Sequence, residues 1–543
     1  MPGIRAPLGF WIPSAVGVVL LHGHQSVLGW ICVLMGLAWA GWKPVEAASL
    51  PAPAMRRRTE LVWLAGLVLL AAGLRWWRLE AVPPACWFDE AQNGLETLRI
   101  LKGDWFIFTP RNNGRGALQF FWTAPFFAVF GKTVGALRLA SAVAGAATVP
   151  LVWRLGRQWG GARIGLAAAG LLAVSAWHVS VSRLGFDAVM TPAFDAAMLL
   201  CLVLGLESAA WGWWAAAGLL AGLANYGYAA SRVSLLLLAL AAWFGLRAFP
   251  GGWQRFRPGV VAACLAAMIA LAPLLSLGLA RPDLLGERGR QVAVTSPGAA
   301  LRNLRATLRM FLERGDANPR HNLPGRPMLD PATGVLALAG LALAWRRRGF
   351  PQQLVLAWLG VYIFTAGTFT DASPHGLRML SAVIPACLLA AWGLEQALAD
   401  FRLETPLGRN LALAVLLLSV GLTTVHAYFV VYPCHPAVRP AFSPYPYEVG
   451  RFVRALPPET PVQVSRRFDE SVVAFVSGRG KSMPELDFST AAGTGDPWVR
   501  ILAAPEEAPW FIREGAYLWR EIKSQEGERF WVVESKPVQE TAP

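Results

Sequence analysis

Trp87-Phe88-Asp89-Glu90-Ala91-Gln92-Asn93-Gly94 sets two adjacent carboxylates just beyond an apolar run, Leu61 to about Trp77, that closes on Arg75, Trp76, Trp77 and Arg78. A run of that length ending in aromatic and cationic residues reads as a membrane helix reaching an interface. Pro83-Pro84 then breaks the chain, because proline cannot donate to a continuing helix. The acidic pair therefore stands where lipid headgroups end and water begins. A charge there can meet a lipid-borne group and a water-borne one together.

The rest of the composition agrees with a membrane setting. Of 543 residues 55% are hydrophobic and only 15% charged, more apolar surface than a soluble core of this size uses. The 25 tryptophans fit aromatic belts at two interfaces. A net charge of +15 could mean nucleic acid, but the arginines fall mostly in short gaps between apolar runs. That is the pattern of topology signals, so nucleic acid is set aside as a partner.

Spans of about 20 apolar residues are expected near 8–22, 26–42, 60–77, 136–155, 162–180, 187–206, 211–228, 231–248, 259–279, 332–346, 353–370, 378–397 and 409–430. The fold class is thus an α-helical polytopic membrane protein of about 11–13 spans with a small C-terminal extramembrane α/β domain. Three segments are expected: a membrane hairpin over 1–45, a transmembrane region over 60–430 with an outer loop at 78–135, and a soluble domain over 431–543. Phe10 to Leu21 resembles a signal-peptide core. No small-residue cleavage site follows it and a second apolar run begins near Val27, so a retained hairpin is the reading.

Alternating spans place Arg56-Arg57-Arg58, Arg154/Arg157/Arg163, Arg247/Arg255/Arg257, Arg346-Arg347-Arg348 and Arg402/Arg409 on one side, the cytoplasm by the positive-inside rule. The Asp89 loop, Ser182 to Asp187, Tyr228 to Arg232, residues 280–331, Asp371 to Arg378 and the C-terminus share the other side. In the terminal domain Val462–Val464, Val472–Val476 and Phe530–Val533 read as short strands or buried segments, and Glu448 to Leu456 and Pro509 to Ile522 as helices.

Six scattered cysteines show no Cys-x-x-Cys and no Cys/His cluster, so no metal site is assigned. Cys86 and Cys434 fall on the outer side, where a membrane-impermeant thiol reagent is expected to label one or the other and none of the remaining four; their pairing stays open. Cys32, Cys201, Cys264 and Cys387 lie within spans and are expected to behave as buried apolar residues. Asp89 has two readings. At N-cap with Gln92 at N3 it forms a capping box; a carboxylate fixed at a helix start is equally suited to taking a proton. Asp187 could cap the following span, and Asp195, deeper in it, has to be paired or face a cavity.

The ordered set resembles the GT-C class of polytopic glycosyltransferases, specifically the protein O-mannosyltransferase and aminoarabinose-transferase group. It comprises the Asp89-Glu90 loop, Arg111-Asn112-Asn113-Gly114-Arg115, the run Phe120 to Phe130, and Gly131-Lys132-Thr133-Val134-Gly135-Ala136-Leu137-Arg138-Leu139. It continues with Ser182-Arg183-Leu184-Gly185-Phe186-Asp187 and Tyr228-Ala229-Ala230-Ser231-Arg232. The likeness covers most of residues 60–400. It implies transfer of a sugar from a polyprenyl-phosphate carrier to a protein, lipid or glycan acceptor on the outer face of the cytoplasmic membrane, with inversion. By resemblance Asp89 is the general base, Glu90 orients acceptor or loop, and Asp187 is the second acidic position.

A departing lipid phosphate needs cations. Arg111, Arg115, Arg232, His375 and Arg378 are the outer-side candidates. Arg138 is expected to pair with a loop carboxylate. The amphipathic stretch Leu301 to Arg314 reads as a surface helix on lipid, followed by a Pro/Gly-punctuated loop, Asn318 to Gly325. No cofactor is assigned; relatives leave a divalent metal open. Competing readings are a transporter or lipid flippase, against which the charges gather on one face rather than at the midplane, and a non-catalytic membrane scaffold.

Overall fold

The computed structural model describes residues 5–42, 55–112, 114–458, 460–479, 499–504, 507, 518–523 and 529–534. The helices in chain order are α1 Arg5–His22, α2 Ser26–Trp42, α3 Arg57–Trp76, α4 Phe88–Leu101, α5 Leu118–Phe130, α6 Val134–Gly160 and α7 Ala162–Val174. There follow α8 Ala176–Ser182, α9 Met190–Ser208, α10 Trp211–Ala224, α11 Ser234–Ala248, α12 Gly252–Ala280, α13 Pro282–Val292 and α14 Pro297–Met310. Then come α15 Pro331–Arg347, α16 Phe350–Tyr362, α17 Val383–Asp400, α18 Pro406–Val425, α19 Tyr432–Cys434, α20 Pro444–Ala455 and α21 Glu470–Ser477. Each predicted span meets a helix. Among the described residues seven spans are long and apolar enough to cross a membrane by themselves, and α7 with α8, bent by 58°, makes an eighth. Helices α10, α15 and α16 are shorter, with 14, 17 and 13 residues.

The chain divides into two compact units. One holds residues 1–77, 106–119 and 141–434; the other holds 78–105, 120–140 and 435–543. In the first, close helix approach rests on glycine. A methyl group added at Gly340 of α15 would lie 1.8 Å from the Leu389 carbonyl oxygen of α17, and one at Gly393 would lie 1.9 Å from that of Leu336. Small residues at such crossings let backbones touch, the principal way helices pack in lipid.

Asp195, fully buried in this unit, accepts hydroxyl bonds from Ser234 at 2.5 Å, Tyr362 at 2.6 Å and Ser381 at 2.6 Å. A carboxylate in that position persists only with such donors. Asp195→Ala orphans three buried hydroxyls, so we expect a cost of about 2 kcal/mol or more, read as a lower thermal midpoint in detergent. Asp195→Asn, which keeps an acceptor, is expected to fall between the two; an unchanged midpoint for the alanine variant would remove this role.

In the second unit two pieces distant in sequence share one core. Cys86, Ala91, Leu98, Phe127 and Leu137 pack with Val472, Phe475 and Val476. Phe127 and Phe475 stack at 6.0 Å, and a Cβ on Gly94 would meet the Phe475 ring at 2.3 Å. In the first unit two-residue strands β1 Phe108–Thr109 and β2 Arg115–Gly116 pair antiparallel; in the second, β3 Val462–Val464, β4 Val499–Leu502, β5 Leu518–Lys523 and β6 Arg529–Glu534 form a sheet of order β3-β4-β6-β5, parallel only between β3 and β4.

Two readings of the terminal domain change. Val472–Val476 is helical, because Asp469 caps it, accepting from the amides of Ser471 (2.9 Å) and Val472 (3.2 Å), and Gly478 closes it in the left-handed region. A five-residue apolar run carries no period that separates helix from strand. Leu518–Ile522, read as helix, is strand β5, paired along its length with β6; residues 509–517 lie outside the described ones.

All six cysteines are free. Cys86 is fully buried, its thiol against the Trp87 carbonyl at 3.6 Å, whereas Cys434 is exposed. Of the two outer cysteines, Cys434 is therefore the one open to a reagent. Cys264, on the long apolar α12, is exposed too rather than buried; that exposure faces apolar surroundings in a span. A membrane-impermeant maleimide on intact cells is expected to label Cys434 alone. Labelling of Cys434 only after lysis would reverse the topology.

Candidate active site

The acidic pair splits into two environments. Helix α4 begins at Phe88, with Trp87 as its N-cap residue, so Asp89 lies in the first turn and is not the cap. Glu90 instead closes the helix start, accepting from the Trp87 amide at 3.1 Å. The capping-box reading of Asp89 with Gln92 is corrected by that two-residue shift, to Trp87 and Glu90. Gln92 turns away and donates to the Ser471 hydroxyl.

Glu90 is fully buried and held by Arg138, Nε to Oε1 at 2.8 Å and Nη2 to Oε2 at 2.9 Å. Arg138 spends its remaining donors on the carbonyls of Leu79 (3.3 Å), Pro83 (2.8 Å) and Ala85 (2.9 Å). All five guanidinium N–H groups are thus used. The Pro83-Pro84 break, the start of α4 and the start of α6 are tied to one side chain. Glu90 is sealed from solvent; Asp89, its neighbour, stays half-exposed.

The C-terminal segment also reaches Asp89. Burial pushes the Asp469 carboxyl up, its two cap bonds pull it back, and the nearby Asp89 carboxylate raises it further. No motif in residues 431–543 announced this neighbour, since only the packing of α21 on α4 brings it there.

The other candidate residues belong to the first unit. Arg115 faces Asp187 at 3.7 Å, with its guanidinium 4.4 Å from the centre of the Phe186 ring; Phe186 in turn meets Tyr228 edge-on at 5.8 Å. Asp187 is buried and opens a 3-10 turn whose N-cap residue is Phe186, so it does not cap α9. Arg111 stands in the turn after the first short strand and Arg232 in the 3-10 turn Ala229–Val233 before α11. Arg183, from the same segment as Asp187, is fully buried and serves structure, donating to the carbonyls of Leu74, Arg75 and Trp77 at the end of α3.

His375 and Arg378, read as one phosphate-binding turn, have separate partners. Arg378 bonds Asp371 at 2.8 Å. His375 lies 4.8 Å ring to ring from His321, whose Nδ1 is 2.7 Å from Asp316 Oδ2. That same oxygen accepts from the Gly376 amide at 2.7 Å. Burial raises the Asp316 carboxyl, but the His321 bond and the two imidazoles outweigh it and hold it below its ordinary value. Asp316, His321 and His375 offer three ligand atoms within 4.8 Å of one another, a carboxylate and two imidazoles of the kind a divalent ion accepts. Their separation along the chain hid this group from the search for ligand spacing.

Residues 116–277 match the family model for dolichyl-phosphate-mannose-protein mannosyltransferases. No curated protein matches the chain. Among solved structures, ArnT from Cupriavidus metallidurans bound to undecaprenyl phosphate aligns with a TM-score of 0.58 and 14% identity, over 90% of this chain and 100% of that one. The same protein in its apo state aligns at 0.55 and 15%, over 88% and 98%. Likeness at that identity speaks for the fold. The chain is thus a multi-pass membrane protein that shares this fold along nearly its whole length, with the mannosyltransferase family match confined to residues 116–277.

Proposed function

We propose that the protein moves a sugar from a polyprenyl-phosphate carrier to a protein, lipid or glycan acceptor at the outer face of the cytoplasmic membrane. Asp89 takes the proton of the acceptor hydroxyl or amine as it attacks the anomeric carbon. The bond from that carbon to the carrier phosphate breaks on the opposite face, its electron pair leaves with the phosphate, and the centre inverts. Arg111, Arg115, Arg232, His375 and Arg378 are the proposed stabilisers of the departing charge, with Asp187 orienting Arg115 through their contact.

The observation that carries this reading is the division of labour in the acidic pair. Glu90 is consumed by Arg138 and positions the loop, while Asp89, one residue away, keeps access to solvent on a rigid helix start. A general base has to be accessible and fixed at once. The test is purified protein in liposomes given a radiolabelled polyprenyl-phosphate sugar. Label is expected in the acceptor fraction; translocation without transfer would favour a flippase, and neither outcome a scaffold.

A further inference from the structure

Beside Asp89 the second unit carries a cleft of about 690 Å³, lined by Pro440, Pro444, Tyr445, Arg467, Asp469, Arg529 and Trp531 among others. We propose that this cleft is the acceptor-recognition subsite and that it takes an acidic saccharide portion of the acceptor, leaving the reacting group to Asp89. The proposal rests on the transferase reading above and names the acceptor class for it.

Continuity comes first. Asp469 lines the cleft and is also the residue of the terminal domain that senses the Asp89 charge. The domain cannot slide on the catalytic loop. Gln92 of α4 bonds Ser471, Phe475 fills the space over Gly94, and Phe127 stacks on Phe475. A group held in the cleft therefore has a fixed relation to Asp89, as a positioned acceptor requires.

The lining chemistry selects the class. Tyr445 is exposed and Trp531 half-buried, so both offer broad apolar faces to a ring, and each brings little side-chain entropy to lose. Pro440, Pro444 and Pro446 stiffen the wall they form. Arg467 pairs through Nε with Glu507 at 3.0 Å and Arg529 through Nη1 with Glu521 at 3.3 Å. Each guanidinium has five donors, so among the described residues both retain groups for a carboxylate or phosphate on the ligand. Asp469 is placed to accept from ring hydroxyls.

An extended peptide is the poorer fit. Trp531 and Arg529 lie on β6, which is hydrogen-bonded to β4 on one side and β5 on the other. At Trp531, which pairs with Leu502 on one side and Glu521 on the other, no strand edge is offered among the described residues for main-chain pairing, the usual source of affinity for an extended segment. A volume near 690 Å³ suits a di- or trisaccharide-sized group within the range of small-ligand sites.

The test uses full-length protein in nanodiscs, without donor, titrated with a uronic-acid disaccharide, its neutral counterpart and a phosphoserine peptide. Isothermal calorimetry is expected to show the acidic disaccharide binding most tightly. Affinity should fall about tenfold in Arg529→Ala and again in Tyr445→Ala, both at exposed positions. Trp531→Phe, which keeps a ring in the sheet, guards against a folding defect and should lose less. Equal affinity of wild type and variants would overturn the site, and preference for the phosphopeptide would overturn the saccharide class. Because no donor is present, the Asp89 reading is decided separately, by turnover of Asp89→Asn.

Discussion

Asp89→Asn is expected to lower turnover about 100-fold or more while the protein inserts and folds normally. The substitution removes the basic carboxylate and keeps the shape. Since Trp87, and not Asp89, is the N-cap residue of α4, the substitution removes no cap, and the acidic charge lost from the first helical turn is worth about 0.3–1 kcal/mol. Asp89→Glu keeps the charge on a longer arm and should retain part of the activity. The measurement is single-turnover transfer from a radiolabelled polyprenyl-phosphate sugar, with the thermal midpoint taken alongside. Near wild-type turnover in Asp89→Asn would leave Asp89 a structural residue and remove the mechanism.

Arg138→Leu should have the largest effect on stability. It strands a fully buried Glu90 carboxylate and three carbonyls at 79, 83 and 85. Breaking one side of a buried ion pair costs about 3–5 kcal/mol, because the remaining charge is left buried without its counter-charge. Arg138→Lys supplies charge without the planar fork and should recover only a fraction. Adding Glu90→Leu to Arg138→Leu removes the stranded charge, so the double variant is expected to be more stable than Arg138→Leu alone. A double-mutant cycle on thermal midpoints checks this; additive losses would mean that Glu90 and Arg138 do not act as one unit. Activity in the surviving folded fraction should also drop, as the clamp fixes where Asp89 stands.

The two effects separate cleanly. One residue of the pair is expected to govern chemistry with little change in folding, the other folding with chemistry as a consequence. Adjacent carboxylates take such different parts because α4 turns successive side chains by about 100°. Glu90 is thereby directed to Arg138 and the core, and Asp89 to the surface.

Much of this was legible from the chain itself. Runs such as Leu61 to Trp77 fix where helices form, because in a bilayer every backbone polar group has to be satisfied within its own segment. The ordered motifs from Asp89 to Arg232 pointed to the GT-C class before any contact was known. That Arg138 pairs with a loop carboxylate was legible; that the carboxylate is Glu90, and what surrounds Asp89, were not. Whether Asp89 or Trp87 caps α4 turns on a two-residue shift that the Asp-Glu-Ala-Gln pattern leaves open. Likewise Val472–Val476 is apolar throughout, so only the Asp469 cap and its seat on α4 decide that it is a helix.

The sequence by itself determined the membrane setting, the helical class and the residue types available for chemistry, since these follow from local apolarity and charge. Tertiary structure alone decided which loop carboxylate Arg138 takes, namely Glu90, that Asp316, His321 and His375 converge, and that Asp469 of the terminal domain stands by Asp89. Those contacts join residues 48, 59 and 380 positions apart. Local propensity carries no information over such separations; side-chain packing and paired charge do.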